Sequence, residues 1–202
     1  MIKLVIFDID GVLVSTRKLH EMAFIKSLHI HGINLTEEEH RIKYDGLPTK
    51  TKLNLLGITD ENFYNKIFET KQKLTFEMSD GHIKSSNDVK EIFKYLMNME
   101  IKTAICSNAI SDFCKLVVNI LQVHPDVLLS NEDVVNPKPS PEIYEKAMEI
   151  IGISPKETLI FEDSRFGITS AINSGANICV IQEPSFLTTD RVKKYISIYE
   201  RR

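Results

Sequence analysis

Short, continuous apolar runs recur along this chain, separated by segments in which apolar residues return every three or four positions. Leu4 to Phe7 is such a run, as expected of a strand buried on both faces, and Ile101–Cys106, Asp126–Leu129, Thr158–Phe161 and Asn177–Ile181 repeat it. In Asn87–Met99, residues Val89, Ile92, Phe93 and Leu96 fall on one helical face, with Asn87 or Asp88 as the cap. Ser140 as a cap, Pro141 at the first helical position and Glu142 in the first turn announce another helix. Ile143, Ala147, Ile150 and Ile151 make its stripe, and Gly152 ends it. Strand and helix alternating from residue 87 onward predict an α/β fold, a parallel sheet with helices on both faces.

The stretch from Thr16 to Ser79 carries no convincing strand. Its pattern predicts helices over Thr16–His29, Thr36–Lys43, Pro48–Leu56 and Asp60–Met78, with Phe63, Ile67, Thr70 and Leu74 at helical spacing in the last. The expected organisation is therefore a core of residues 1–14 and 81–202, interrupted by an all-helical insertion over 15–80 that serves as a lid on the sheet's end. A chain of 202 residues, 43% hydrophobic and 26% charged, can supply one substantial core plus such a module. With 25 basic and 28 acidic residues and no dense Lys/Arg block, neither nucleic acid nor a membrane is the expected partner. The cysteines, Cys106, Cys114 and Cys179, lack zinc-like spacing, and Cys106 and Cys179 read as buried, reduced thiols. The apolar start is too short for a signal segment, and no window reaches the ~18 apolar residues of a membrane span, so the cytoplasm is the expected location. A monomer is the expected state.

Four polar segments interrupt this pattern where a strand ends or a helix begins. Asp8-Ile9-Asp10-Gly11 follows the first run. Two carboxylates there reach the crevice where open α/β sheets bind ligands, so that one can attack while the other gives a proton; the pair also reads as solvated acids ending a strand. Glu162-Asp163-Ser164 follows Thr158–Phe161. With Asp8, Glu162 and Asp163 supply the hard oxygen donors that Mg²⁺ takes, although Asp163 or Ser164 equally suits a cap for Arg165–Asn173. Ser107-Asn108 offers a hydroxyl and backbone N–H groups to an anion, or simply a turn. Lys138, among Pro137, Pro139 and Pro141, is a cation held by a stiff loop, or one more solvated lysine. Together the four form an inventory for phosphoryl transfer.

These segments, in this order, resemble the motifs of the haloacid dehalogenase-like hydrolases: Asp8-x-Asp10-Gly11-Val12-Leu13-Val14, Ser107-Asn108, Lys138-Pro139 and Glu162-Asp163-Ser164, trailed by Gly167, Ala171 and Gly175. The resemblance implies a Rossmann-like core with a helical cap and a Mg²⁺-dependent phosphohydrolase of a small phosphorylated metabolite, such as a sugar phosphate. It implies Asp8 as nucleophile, forming an aspartyl phosphate, and Asp10 as general acid and base. Asp8, Glu162, Asp163 and the carbonyl of Asp10 would hold the metal, while Ser107, Asn108 and Lys138 would hold the phosphoryl group. The founding dehalogenases fit poorly, since this chain keeps Asp10 and both later acids. Beta-phosphoglucomutases are the alternative: Thr16 and His20 match positions used there, but Asp45 and Thr49 stand where the mutase is basic, with Lys50 or Lys52 as substitutes. A non-catalytic protein on the same scaffold is the third reading, disfavoured because every motif acid is present. Ser15 and Pro137 also depart from the common pattern, where many relatives have Asp and Gly.

By the same resemblance the cap selects the substrate through Gly46, Thr49 and Lys50, each of which also fits a plain turn with Pro48 opening a helix. His20 is expected to be a hydrogen-bonding residue at the cap hinge. Lys71 and Lys73 read as solvated helix residues, the alternative being that one of them faces the site.

Overall fold

A computed structural model of the chain describes residues 1–79, 81–83 and 87–200. Strand β1 (Leu4–Phe7) has all four residues buried because it lies at the middle of a five-stranded parallel sheet. Its neighbours are β2 (Lys102–Cys106) and β4 (Thr158–Glu162), and β3 (Val127–Leu129) and β5 (Asn177–Val180) form the edges, in the order β3-β2-β1-β4-β5. The all-apolar sequence of β1 follows from that position, since both faces of a central parallel strand are covered. At edge strand β5, by contrast, Val180 is partly exposed.

The register brings three polar segments together. Phe7 pairs with Ile105 on one side and Phe161 on the other, so the residues that follow β1, β2 and β4 leave the sheet side by side. The chain crosses from the β2 side of β1 to the β4 side, which is the arrangement that opens a crevice at the strands' C-terminal ends. Leu4 and Ile6 point to one face, packing with Tyr144, Ala147 and Met148 of α7 (Glu142–Ile151) and Ala171 of α8 (Arg165–Asn173). Phe7 points to the other, with its ring 5.4 Å from Phe93 of α5 (Asn87–Asn98) and 5.3 Å from Phe161. Phe161 in turn meets Tyr195 of α9 (Thr189–Glu200) edge-on, and α6 (Ser111–Leu121) links β2 to β3.

Cα packing divides the chain into two units, Met1–Ser15 with Lys84–Arg202, and Thr16–Ile83. The expected second boundary, between residues 80 and 81, falls on Asp80, outside the described residues. The helical unit contains α1 (Arg17–Ile30), α2 (Glu37–Lys43), α3 (Thr49–Leu55) and α4 (Glu61–Ser79) around Phe24, Leu28, Leu53, Ile58 and Ile67. Helix α2 begins with a reciprocal cap: the Glu39 N–H donates to Thr36 Oγ1, and the Thr36 N–H donates to Glu39 Oε2. Among the described residues no helix is long and apolar enough to cross a membrane.

Most departures from the predicted elements are one or two residues at an end, where helices fray. Pro48 and Pro141 sit one position before their helices rather than first inside them; the Pro141 carbonyl accepts the N–H groups of Tyr144 and Glu145, opening α7. Ser164 rather than Asp163 caps α8, accepting the Gly167 N–H at 3.0 Å. The side chain of Asn87, one of the alternative caps for α5, lies outside the description. Lys71 is a correction of substance. It is buried, with Nζ 3.4 Å from His20 Nδ1, whereas Lys73 is solvated beside Glu77. Lys71 follows buried Ile67 by four positions, so helix geometry puts it on the inward stripe whatever lysines do elsewhere.

A second buried lysine lies in the same unit. Lys52 Nζ is 3.0 Å from His40 Nε2 and 5.2 Å from the Phe24 ring centre. Burial, then the Lys52 charge, pull the His40 pKa down from 6.5 to about 3. This imidazole stays neutral in the fold but protonates readily once unfolded, so its contribution to stability is present above pH 6.5 and is lost as pH falls toward 3. His40→Gln, whose amide oxygen can still accept from Lys52, should flatten the fall in urea midpoint between pH about 7 and about 4. An equally steep fall in both proteins would assign the pH dependence to other groups.

Candidate active site

Lys138 is the centre of the polar cluster. Its ammonium, on a side chain 2% exposed, donates to Asp8 Oδ1 at 2.7 Å, Glu162 Oε1 at 2.7 Å and the Cys106 carbonyl at 2.9 Å. These contacts use all three of its protons. Lysine reaches this place because the loop that carries it is tied down from outside. The Asn108 amide donates to the Lys138 carbonyl and its oxygen accepts the Lys138 N–H. At the loop's start, the Glu142 carboxylate accepts the N–H groups of Val135 and Asn136, and at its end the Ser170 hydroxyl donates to the Ser140 carbonyl.

Asp8 leaves β1 with its N–H donated to the Phe161 carbonyl, which fixes its backbone against β4. Beyond it the chain turns sharply, with the Ile9 carbonyl accepting from Leu13 and Val14. Gly11, at φ +90°, sits so close to Asp163 that a Cβ on it would lie 1.9 Å from Oδ2. Glycine is needed there for both the backbone conformation and the space. Gly167 does the same for Glu162, since a Cβ would fall 1.7 Å from its Oε1.

Glu162 is fully buried, with hydrogen-bond donors at both of its oxygens. Oε1 accepts from Lys138 and from the Tyr144 hydroxyl at 2.8 Å, while Oε2 accepts from the N–H groups of Asp163 and Ser164 and from the Ser164 hydroxyl. One carboxylate oxygen from each of Asp8, Glu162 and Asp163 lies within 4.8 Å of the other two. Such a set of hard oxygen donors fits a divalent cation that prefers carboxylates and water.

Burial and neighbouring charges shift these groups in opposite directions. Burial raises the Asp8 pKa well above its usual value; Lys138 pulls it back, and Glu162, Asp10 and Asp163 push it up again. Burial also works against charged Lys138, but Asp8 and Glu162 outweigh it and hold the ammonium firmly protonated. Glu162 is lowered, since Lys138 and the Tyr144 hydroxyl overcome its burial. Of the two carboxylates sharing Lys138, Asp8 is thus the one that further positive charge nearby would keep ionised.

The structure brings Asp8, Ser107, Asn108, Lys138, Glu162 and Asp163 together at the ends of β1, β2 and β4, with Asp10 near enough to raise the Asp8 pKa. Two expected anion donors are already committed. The Ser107 N–H goes to the Leu129 carbonyl, and the Ala109 N–H goes to Ser107 Oγ, leaving the Ser107 hydroxyl proton itself to donate. In the helical unit, Gly46 and Thr49 are half-buried, Lys50 is exposed on α3, and His20 lies against Lys71. The sequence reading missed Tyr144, Glu142 and Ser170. Tyr144 carries the one detectable signal, an aromatic beside Ile143 on the stripe whose hydroxyl must find a partner if buried.

The family described as "Haloacid dehalogenase-like hydrolase" matches residues 5–181. A "Phosphorylated carbohydrates phosphatase" of Thermotoga maritima is 31% identical over 182 residues, 85% of this chain and 81% of the relative. A "Pyrophosphatase PpaX" of Bacillus cereus is 24% identical, covering 89% of this chain and 83% of its own. Among solved structures, CbbY of Rhodobacter sphaeroides in complex with phosphate has a TM-score of 0.79 at 23% identity, over 93% of this chain and 88% of the other. A beta-phosphoglucomutase of Clostridium difficile has a TM-score of 0.81 at 21% identity over all of both chains. The structural likeness carries the fold.

Gly11→Ala should cost about 1–3 kcal/mol in unfolding free energy through its backbone conformation and the crowding of Asp163. Adding Asp163→Ala to that variant should recover part of the loss; no recovery in a double-mutant cycle would contradict the close contact.

Proposed function

The chain belongs to the haloacid dehalogenase-like hydrolase family, and on that premise we propose that it is a Mg²⁺-dependent phosphatase of a small phosphorylated metabolite, with Asp8 as nucleophile. What supports this most is the Lys138 ammonium held between Asp8 and Glu162, together with an Asp163 oxygen that lies within 4.8 Å of an oxygen of each of those two carboxylates. The name of the Thermotoga maritima relative favours a phosphorylated carbohydrate as substrate.

In this mechanism the Asp8 carboxylate attacks the phosphorus of the monoester and the ester P–O bond breaks. The carboxyl proton of Asp10 goes to the departing alkoxide, giving the alcohol and an aspartyl phosphate on Asp8. Asp10, now a carboxylate, takes a proton from the water that attacks that phosphorus, and phosphate leaves with Asp8 restored. Asp8, Glu162, Asp163 and the Asp10 carbonyl would hold Mg²⁺, which when bound supplies charge neutralisation for the carboxylates and the phosphoryl oxygens. Lys138 acts through charge and position, since its protons are engaged by Asp8, Glu162 and Cys106. Ser107 and Asn108 would orient the phosphoryl group, the latter also clamping the Lys138 loop. We assign recognition of the organic part to the helical unit, with Gly46, Thr49, Lys50 and His20 as its candidates.

The mutase is the second reading, on the match at Thr16 and His20. Of the two lysines able to replace its basic residues, Lys50 is exposed and Lys52 is buried against His40. A coupled assay with a hexose 1-phosphate and a bisphosphorylated primer separates the two activities.

Asp8→Asn should keep the fold and lower turnover of an aryl phosphate by roughly 10³-fold or more. Chelation should stop the wild type, and Mg²⁺ should restore it. Turnover unchanged in either experiment would overturn the assignment.

A further inference from the structure

Tyr144 touches both charged partners of Asp8 while lying apart from Asp8 in the sequence and on a helix face otherwise given to packing. Its hydroxyl donates to Glu162 Oε1 at 2.8 Å, and its ring centre lies 4.8 Å from Lys138 Nζ. Lys138 Nζ donates to that same Oε1 at 2.7 Å. Tyrosine thus presents its electron-rich face to the ammonium and its O–H to the carboxylate that the ammonium pairs with.

The two oxygens of Glu162 are held in different ways. Oε2 is gripped by the N–H groups of Asp163 and Ser164, the turn that leads into α8, and this grip is fixed by the backbone. Oε1 is held only by side chains among the described contacts, Lys138 and Tyr144. Lys138 is shared with Asp8 and the Cys106 carbonyl, and the Tyr144 ring adds a contact beneath it from the packed core. Gly167 leaves open the space that Glu162 Oε1 occupies.

We infer that Tyr144 is a positioning residue of the metal and phosphoryl site, fixing Glu162 through its hydroxyl and Lys138 through its ring. The inference rests on the phosphatase reading, because it takes Glu162 as a metal ligand. Partners that orient ligating carboxylates typically contribute about 10–100-fold to metal affinity. Tyr144→Phe keeps the ring and removes the hydroxyl; Tyr144→Leu removes both contacts.

The test is Mn²⁺ affinity, read by titration calorimetry on purified full-length protein, with the metal-free Tm measured alongside and kcat and KM on an aryl phosphate. Tyr144→Phe should weaken Mn²⁺ binding by about tenfold with KM at saturating metal little changed, and Tyr144→Leu should add a loss of kcat. In a Glu162→Gln background, Tyr144→Phe should change Mn²⁺ affinity by less than about twofold, since the residue it acts through is already altered. Tyr144→Phe with wild-type Mn²⁺ affinity, whatever its Tm, would overturn the inference and reduce Tyr144 to packing. So would an undiminished effect in the Glu162→Gln background. Wild-type protein that binds no Mn²⁺ would instead overturn the phosphatase reading, and the inference with it.

Discussion

The Lys138 ammonium, buried between Asp8 and Glu162, is the interaction on which the polar end of this sheet depends. Carboxylates at the ends of adjacent strands repel one another, and burial adds a cost for each that stays ionised. One buried cation makes two of them tolerable. Its removal would leave Asp8 and Glu162 facing each other unpaired, a change that typically costs about 3–5 kcal/mol. The surrounding structure reads as support for that one charge: Asn108 clamps its backbone, Glu142 and Ser170 hold its loop, and Tyr144 lies under it. An Asp163 oxygen lies within 4.8 Å of oxygens of both carboxylates, and such a group of hard donors suits a divalent ion.

The sheet and the polar segments at its end were legible in the sequence because each depends on local pattern. Leu4–Phe7 reads as a central strand since covered faces demand apolar residues at every position, and β4 reads the same way up to its closing Glu162. Placing acids directly after such runs needed no knowledge of the fold. That Asp8 meets Glu162 did need it, because their contact is made by the pairing of Phe7 with Phe161, a register no local pattern states. The ordered motifs of the family supplied what spacing could not.

The unread features were long-range and specific. Asn108 looked like a turn residue, and its clamp on Lys138 spans 30 positions. Tyr144 adjoins Ile143 but was not counted on the predicted stripe, and only the fold brings its hydroxyl to Glu162. Lys71 was judged by the habits of surface lysines and Lys52 was named only as a substitute for a basic residue, yet the helical unit buries both and sets each against a histidine. In Lys71 the periodicity argued for burial and the residue type against it; periodicity prevailed.

The central claim is that segments far apart in sequence converge on a single divalent ion. A crystal structure of the protein grown with Mn²⁺, with the metal located by its anomalous scattering, tests it most directly. The account predicts one peak coordinated by carboxylate oxygens of both Asp8 and Asp163. A peak elsewhere, or one bound by only one of these two aspartates, would contradict it.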